Sequence, residues 1–272
     1  TGTTVTVNAD GMQVVETSIN SGELYFNSRT YVMWNWKANG SGSSNTDGSI
    51  TSTVSANTTA GFSIVSYTGS GSTSTVGHGL GVAPNVIIWK GRNYSINWAV
   101  YHSSIGEGSK VYLDLTNASA ADTTYMNNTA PTSTVFSIAS NAWTNNSASA
   151  TLIAYCFAEV EGYSSFGKYT GNGSTDGPFV YTGFRPAFII TKNTSGTGGW
   201  HMTDTTRFAF NSSSQMGYLD ADTASAEVAA RIYNSFSNGF QIRDNGSVVN
   251  TSGSTYIYMA FAENPFKNAN AR

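Results

Sequence analysis

The sequence predicts an all-β protein built from tandem, jelly-roll-like β-sandwich repeats, with an incomplete repeat at the N-terminus. Three runs of β-branched and aromatic residues support this prediction, at 151–159, 255–263 and 30–36. Their composition is typical of a strand that packs on a core. Between them lie short apolar stretches separated by turn residues, about seven or eight in each repeat, and no convincing helix. This pattern favours sandwiches.

The repeat is visible at single positions. The clearest matches are identical residues at a nearly constant separation: Lys90 and Lys192, Trp98 and Trp200, and Asp114 and Asp220. The separation is 102 residues for the first two pairs and 106 for the third. This drift places insertions between strands, where loops tolerate them. We therefore expect one β-sandwich repeat at residues 61–162 and a second at residues 163–266.

Residues 1–36 resemble the end of a further repeat. The segment 11–14 is similar to 239–242, and the run at 30–36 follows it. The sequence contains no front part for this unit and does not begin with Met. We expect the C-terminal hairpin of a truncated upstream repeat, in a piece of a longer protein. The alternative is an N-terminal extension that is complete in itself, although an isolated two-stranded hairpin is marginal in water.

Three other segments are predicted from their composition. Residues 37–60 consist almost entirely of Ala, Asn, Gly, Ser and Thr, which predicts an extended linker. The Ala-rich centre of residues 220–233 predicts a helical turn or two, which an Asp or Thr would cap. Residues 267–272 form a polar tail that we expect to fray.

Composition restricts the class of function. Charged residues make up 11% of the chain and aromatic residues 13%, and the net charge is −3. Low charge with many hydroxyl and aromatic side chains is typical of extracellular β-proteins and virion fibres. The charge offers no basic surface for nucleic acid, and no apolar run reaches the roughly 20 residues of a membrane span. Cys156 is the single cysteine, and we expect it to be a small buried hydrophobe.

Specific motifs carry a resemblance to a known group of proteins. The stretch from Tyr31 to Pro84 resembles an uncharacterised repeat domain of marine bacteriophage tail-fibre and virion-surface proteins. So do WAVYH at 98–102, NNTAPTSTVFSI at 127–138 and KYTGNGSTDGPFVYTGFRPAFIITK at 168–192. The resemblance covers nearly the whole chain. It implies a β-sandwich fold and a location at the virion surface, outside the cell, and it brings no catalytic residue with it.

The sequence offers little for catalysis. Glycoside hydrolysis requires two carboxylates across a scissile bond. Glu159 and Glu263 end equivalent strands, so we expect them to serve the structure. There is no nucleophile elbow and no phosphate-binding loop. We therefore expect a protein that is not an enzyme and has no catalytic residues.

No metal or cofactor is predicted. The histidines are scattered without ligand spacing or companion cysteines, at His78, His102 and His201, which argues against zinc. Loop oxygens around Asp122 or Asp244 are of the kind that binds calcium, although no loop has the EF-hand spacing.

A glycan site is predicted from aromatic side chains beside amide groups, because sugars stack on rings and pair their hydroxyls with polar groups. The candidate residues are Asn93, Trp98, Tyr101, His102, Trp143, Trp200 and His201. The alternative is that Trp98 and Trp200 are core residues that recur because the fold recurs.

Two functions follow as hypotheses. In the first, the chain is a virion-surface adhesion module, part of a tail fibre or spike, that contacts glycan on the host cell. In the second, it is a purely structural or decoration protein that self-assembles into a fibre or coats a capsid. Glycan binding predicts exposed aromatic side chains in a groove. The structural function predicts buried aromatic side chains and contacts with other copies or other virion proteins.

Overall fold

The chain divides into two compact units, residues 1–36 and residues 37–272. The computed structural model describes residues 3–8, 11–16, 30–207, 217–230 and 232–263. In the first unit, β1 (Thr3–Asn8) and β2 (Gly11–Glu16) pair antiparallel, with Asn8 opposite Gly11. These two strands form a hairpin.

The strand expected at residues 30–36 does not form. These residues belong to no strand, and the side chains of Tyr31 and Met33 are exposed. The segment has a high β propensity, but strand formation depends on packing and on cross-strand neighbours more than on intrinsic preference. The same kind of run becomes a strand at 151–157 and 255–261, where a strand lies on each side.

The first half of the larger unit, residues 37–162, is built on an eight-stranded antiparallel sheet in the order β10-β9-β8-β7-β12-β5-β4-β3. A separate two-stranded sheet pairs β11 with β6. The strands are β3 (Ser43–Asn45), β4 (Ser52–Asn57), β5 (Phe62–Thr68), β6 (Ser74–Gly77), β7 (Val86–Gly91), β8 (Ala99–His102), β9 (Ser109–Tyr112), β10 (Ala120–Ala121), β11 (Val135–Ile138) and β12 (Thr151–Phe157).

The linker expected at residues 37–60 is wrong over much of its length. Strand β4 pairs with β5, and Val54 lies in the core. Ser52 and Ser55 are buried and donate their hydroxyls to the carbonyls of Gly77 and Gly40. A segment with few hydrophobic residues can therefore join the sheet, because its hydroxyl side chains find partners.

The second half, residues 163–263, contains a six-stranded antiparallel sheet in the order β13-β21-β15-β16-β17-β18 and a three-stranded sheet in the order β14-β20-β19. The strands are β13 (Ser164–Thr170), β14 (Phe179–Tyr181), β15 (Phe188–Asn193), β16 (Trp200–Asp204), β17 (Gly217–Asp220), β18 (Val228–Ala229), β19 (Tyr233–Phe236), β20 (Gly239–Ile242) and β21 (Thr255–Phe261).

The described residues form no helix, so the helical turns expected within 220–233 are wrong. Strand β18 occupies part of that segment and pairs with β17, Val228 opposite Tyr218. Pairing with the sheet edge satisfies backbone hydrogen bonds in this segment, whereas an isolated turn of helix is costly to nucleate. In the part of the chain that the structure describes, no helix is long and apolar enough to cross a membrane.

Each half has a core between its two sheets. In the first half, Leu152, Ala154 and Cys156 of β12 point inward and meet Phe136 of β11. The Trp89 ring lies edge-on to Phe136, with centroids 5.5 Å apart. Cys156 is buried as expected, and burial raises the pKa of its thiol to about 12. The alternating side chains of β12 point to the other face of the eight-stranded sheet.

Candidate functional site

Trp98 lies on that other face of the eight-stranded sheet, and its indole is half-buried. The ring stacks on Tyr155, with centroids 6.2 Å apart and planes 20° apart. The ammonium of Lys90 lies 5.4 Å from the indole centroid and donates to the carbonyl of Ile96. The backbone N–H of Trp98 donates to Asp114 Oδ1 at 3.0 Å. Trp98 therefore belongs to a surface cluster that combines aromatic rings with a cation.

Trp200 lies at the contact between the two halves and is only 2% exposed. Its indole N–H donates to the carbonyl of Tyr112 in the first half, at 2.7 Å. Its backbone N–H donates to Asp222 Oδ1 at 2.8 Å. An indole buried with its N–H satisfied contributes apolar area and a directional bond together. Trp200 thus holds the halves together.

Lys192, next to Trp200, is completely buried. Its ammonium donates to three carbonyls, those of Thr116 at 3.1 Å, Asn193 at 2.9 Å and Gly198 at 2.7 Å. Burial lowers the pKa of Lys192 to about 8, and the charge of Asp222 opposes this shift. The side chain is therefore protonated at neutral pH, which suits its three acceptors.

A loop of the first half, residues 112–119, makes the main polar contacts with the second half. Besides the bonds to Trp200 and Lys192, Thr116 accepts the N–H of Gly198 at 2.9 Å. Ser119 donates its N–H and its hydroxyl to the carbonyl of Thr194, each at 3.0 Å. We call this segment the docking loop. Most of its contacts use its main chain, so the geometry depends little on its side chains.

Aromatic and histidine contacts complete the junction. The rings of Phe157 and Phe261 lie with centroids 6.0 Å apart. His102 is fully buried, accepts the N–H of Ser104 at Nδ1 and donates from Nε2 to the carbonyl of Tyr258, both at 3.1 Å. These partners select the neutral tautomer with the proton on Nε2. Burial lowers the pKa of His102 to about 4.

Lowering the pH from 7 to 5 is expected to reduce the free energy of unfolding by about 2 kcal/mol through His102 alone. In the unfolded chain histidine titrates near 6.5, whereas in the folded protein His102 titrates at about 4. Between these values only the unfolded state binds the proton. The contribution of His102 is therefore complete above pH 6.5 and is lost as the pH falls towards 4. Burial also lowers the pKa of His78 and of His201, which act in the same direction.

Urea denaturation at the two pH values tests this expectation. The control is His102→Gln, which retains an N–H donor for the Tyr258 carbonyl but does not titrate. Its loss of stability between pH 7 and pH 5 should be smaller than that of the wild type by the same amount. Equal losses in the two proteins would contradict the effect of His102.

The other predicted residues lie in three separate places. Tyr101 is buried in the core of the first half, and burial raises its pKa to about 12. Asn93 is exposed, but its amide donates to the Ser149 carbonyl and accepts the Thr151 N–H, both at 2.9 Å. Trp143 is half-buried, with its ring 3.8 Å from the ammonium of Lys110. The structure therefore does not bring the predicted set together into one groove.

The carboxylates and His201 have structural partners. Lys110 forms an ion pair with Asp122. The side chain of His201 is buried, and its Nδ1 lies 2.6 Å from Asp220 Oδ1. The pKa of His201 is lowered by burial, while Asp220 opposes the shift. Glu159 accepts the backbone N–H of Phe166 at 3.2 Å. Among the described residues, no group of three or more His, Cys, Asp or Glu side chains is placed to hold a metal ion.

The sequence match of Asp114 with Asp220 is wrong by two positions. Asp114 accepts the N–H of Trp98, and the residue that accepts the N–H of Trp200 is Asp222. Asp220 instead faces His201. Two neighbouring aspartates made the choice ambiguous in the sequence, and the strand register resolves it.

Sequence reasoning missed the docking loop and Lys192. Their function comes from contacts between residues distant in the chain, which no local pattern reveals. The repetition of Lys90 at Lys192, each followed by a tryptophan, was the available signal.

Comparison with known proteins identifies the family. A family described as "Domain of unknown function (DUF7483)" matches residues 1–265. No curated protein matches the chain. No solved structure matches it either. Because the family match covers almost the entire sequence, the chain belongs to the DUF7483 family of domains of unknown function.

Proposed function

We propose that the chain is a non-enzymatic structural protein of a virion surface, built from tandem β-sandwich units that pack on one another. The observation that carries this proposal is the junction between the halves, where Trp200 and Lys192 bind main-chain carbonyls of the docking loop. A protein that assembles from repeated units requires such a contact. The virion location rests on the resemblance of the sequence to phage surface proteins.

The tandem arrangement is supported by strand order. The six strands β5-β12-β7-β8-β9-β10 follow one another across the first large sheet in the same sequence of steps as β13-β21-β15-β16-β17-β18 across the second. In each half the second strand along the chain pairs with the last strand but one, in a separate small sheet. These pairs are β6 with β11 when counting starts at β5, and β14 with β20 when counting starts at β13. Two halves of one topology are what duplication of a single unit would produce.

Matched side-chain contacts support the same interpretation. Lys90 donates to Ile96, as Lys192 donates to Gly198 at the corresponding position. These contacts recur although the surrounding loops differ in sequence.

The contacts of the buried aromatic residues favour assembly over catalysis. Trp200 and Phe261 fill the junction, and Trp89 fills a core. At the junction, Lys192 and Trp200 donate hydrogen bonds to the docking loop, and such contacts stabilise the packing of the two halves.

The proposal is tested by locating the chain on particles. Gold-labelled antibodies raised against it, applied to particles of a phage that encodes it, should decorate the particle surface in electron micrographs. Antibodies absorbed beforehand with the purified chain serve as the control. Particles that remain unlabelled while lysates of infected cells contain the chain would contradict the proposal.

A second candidate function is adhesion to glycan at the Trp98 cluster. The observation that favours it is the stacked pair Trp98–Tyr155, half-buried and beside the cation of Lys90, which could offer a ring face to a sugar. A glycan array would test it with the wild type, Trp98→Ala and Trp143→Ala. Specific binding that is lost only in Trp98→Ala would establish the adhesin. Absence of binding by the wild type would exclude this candidate for the glycans on the array.

A further inference from the structure

Two corresponding faces of the halves differ in how they are covered. We call Ile88, Lys90, Trp98, Ile153 and Tyr155 the Trp98 face, because strand register places Ile153 opposite Lys90 and Tyr155 opposite Ile88. The same register in the second half defines the Trp200 face, which consists of Ile190, Lys192, Trp200, Ile257 and Met259. The two faces thus occupy matching positions on their sheets.

The Trp200 face is buried and the Trp98 face is not. Lys192 and Ile257 are 0% exposed and Met259 is 5% exposed. These five members of the Trp98 face are half-buried instead, while Val100, which lies opposite Ile88 on the same side of the sheet, is 1% exposed. The first half, with its docking loop, covers the Trp200 face. Burial of the apolar side chains of the Trp98 face against a partner would therefore be favourable.

The Trp98 face also makes fewer hydrogen bonds from its N–H donors than the Trp200 face does. The Lys90 ammonium donates to one carbonyl, whereas that of Lys192 donates to three. The Trp98 indole N–H bonds to none of the described residues, whereas that of Trp200 bonds to Tyr112. In the second half the docking loop accepts from the Lys192 ammonium at Thr116 and from the Trp200 indole at Tyr112, whereas the other two acceptors of Lys192, Asn193 and Gly198, lie in the second half itself. The face is therefore suited to main-chain carbonyls spaced like those of Tyr112 and Thr116.

A segment that fits this description exists in the second half. At the start of the segment, Asp220 lies opposite His201, just as Tyr112 lies opposite Ala99 in the first half. At its end, Val228 lies opposite Tyr218, just as Ala120 lies opposite Lys110. Residues 220–227 are therefore the counterpart of the docking loop at 112–119. Their members from 223 onward are exposed. Since the docking loop binds mainly through its main chain, its counterpart can do so with a different sequence.

Charge supports the same pairing. Within the chain, Ser119 donates to the carbonyl of Thr194. The counterpart of Thr194 is Arg92, because Thr194 follows Lys192 by two positions and Arg92 follows Lys90 by two. Each also donates its backbone N–H to the first residue of the neighbouring strand, Thr194 to Thr255 and Arg92 to Thr151. The counterpart of Ser119 is Glu227, the residue before β18. Docking of the second loop on the Trp98 face would thus bring Arg92 beside Glu227, whose carboxylate also pairs with Arg207 of its own chain at 2.7 Å.

We infer that the Trp98 face of one copy binds residues 220–227 of a second copy of this chain, in the way that the Trp200 face binds the docking loop within one copy. The inference rests on the proposed function, because it identifies the surface through which the units assemble. The contact is heterologous, since face and loop are different surfaces. Each copy has both surfaces, so association continues head to tail beyond two copies.

Sedimentation velocity across a concentration series tests the association. The wild type should form larger species as concentration rises from micromolar to sub-millimolar. Trp98→Ala and Arg92→Glu should each weaken association by about tenfold or more while leaving the thermal midpoint nearly unchanged. Trp143→Ala is the matched control, a half-buried indole away from this face, and should associate like the wild type. A wild type that remains monomeric throughout, or variants that associate equally well, would overturn the inference.

Mixing and charge exchange test the head-to-tail geometry. A chain with Trp98→Ala and Arg92→Glu lacks the face, and a chain with Glu227→Lys and Ala224→Trp lacks the loop. Each should be monomeric alone, and together they should form a one-to-one dimer that does not grow. The double variant Arg92→Glu with Glu227→Arg should recover part of the association that Arg92→Glu loses. A mixture that stays monomeric would overturn the pairing of this face with this loop.

The outcomes separate this inference from the proposed function. Labelled particles together with a monomeric chain would overturn the inference and leave the structural function standing. Association that depends on Trp98, together with unlabelled particles, would support the inference and overturn the location at the virion surface. Binding of glycan instead of a second copy at Trp98 would identify the face as an adhesin site and would also overturn the inference.

Discussion

Replacing Trp200 by alanine is expected to lower the free energy of unfolding by about 3–5 kcal/mol. The indole is 2% exposed, so the substitution opens a cavity at the junction of the halves. It also removes the donor to the Tyr112 carbonyl, which would be left without this bond in the interior. For a unit of this size the thermal midpoint should fall by about 10 °C. Calorimetry measures both the midpoint and the number of transitions.

Trp98→Ala is the matched control, because Trp98 occupies the corresponding position with a half-buried ring. It should cost about 1 kcal/mol or less. Because Trp200 joins the halves, Trp200→Ala should also divide a single unfolding transition into two, and Trp98→Ala should not. Equal effects of the two substitutions would show that the junction does not contribute to stability in the way its contacts suggest.

Replacing Lys192 by methionine is expected to lower the free energy of unfolding by about 3 kcal/mol. Methionine fills a similar volume but donates no hydrogen bond, so the carbonyls of Thr116, Asn193 and Gly198 each lose a charged donor. Relief from burying the ammonium offsets part of this loss, as the lowered pKa of Lys192 indicates. Urea denaturation at pH 7 measures the difference.

Lys90→Met provides the control for Lys192→Met. Lys90 is half-buried and donates to a single carbonyl, that of Ile96, so its loss should cost about 1 kcal/mol or less. A Lys192→Met protein as stable as the wild type would mean that burial of the charge outweighs its three hydrogen bonds. That result would identify Lys192 as a residue that positions the docking loop without stabilising it.

Much of the fold could be predicted because strands leave a local pattern. The runs at 151–157 and 255–261 are strands, and each has a neighbouring strand on both sides. Local pattern failed where pairing decides the outcome. Residues 52–57 look like a linker yet pair with β5, while residues 30–36 have strand composition and form none. A strand requires a neighbouring strand to pair with, and composition alone does not show which segments pair.

The candidate site was predicted less well. The sequence drew attention to Trp98 and Trp200 as an equivalent pair, and they do make matching backbone contacts. It offered no indication that one indole is buried against Tyr112 while the other remains half-buried. Asn93 and His102 were singled out for polar groups that the structure uses internally. Hydrogen-bond partners decide whether a polar side chain is free to bind a ligand.

The sequence by itself determined the all-β character of this protein and the recurrence of its key residues, because both depend on residue type and spacing. Only the tertiary structure decided which copy of each recurring residue is buried. Lys90 and Lys192 are chemically identical, yet one reaches a single carbonyl and the other three. Lys192 binds the carbonyl of Thr116 because the docking loop of the first half covers only the face of the second. Burial depends on packing between distant segments, so identical residues at corresponding positions can have different functions.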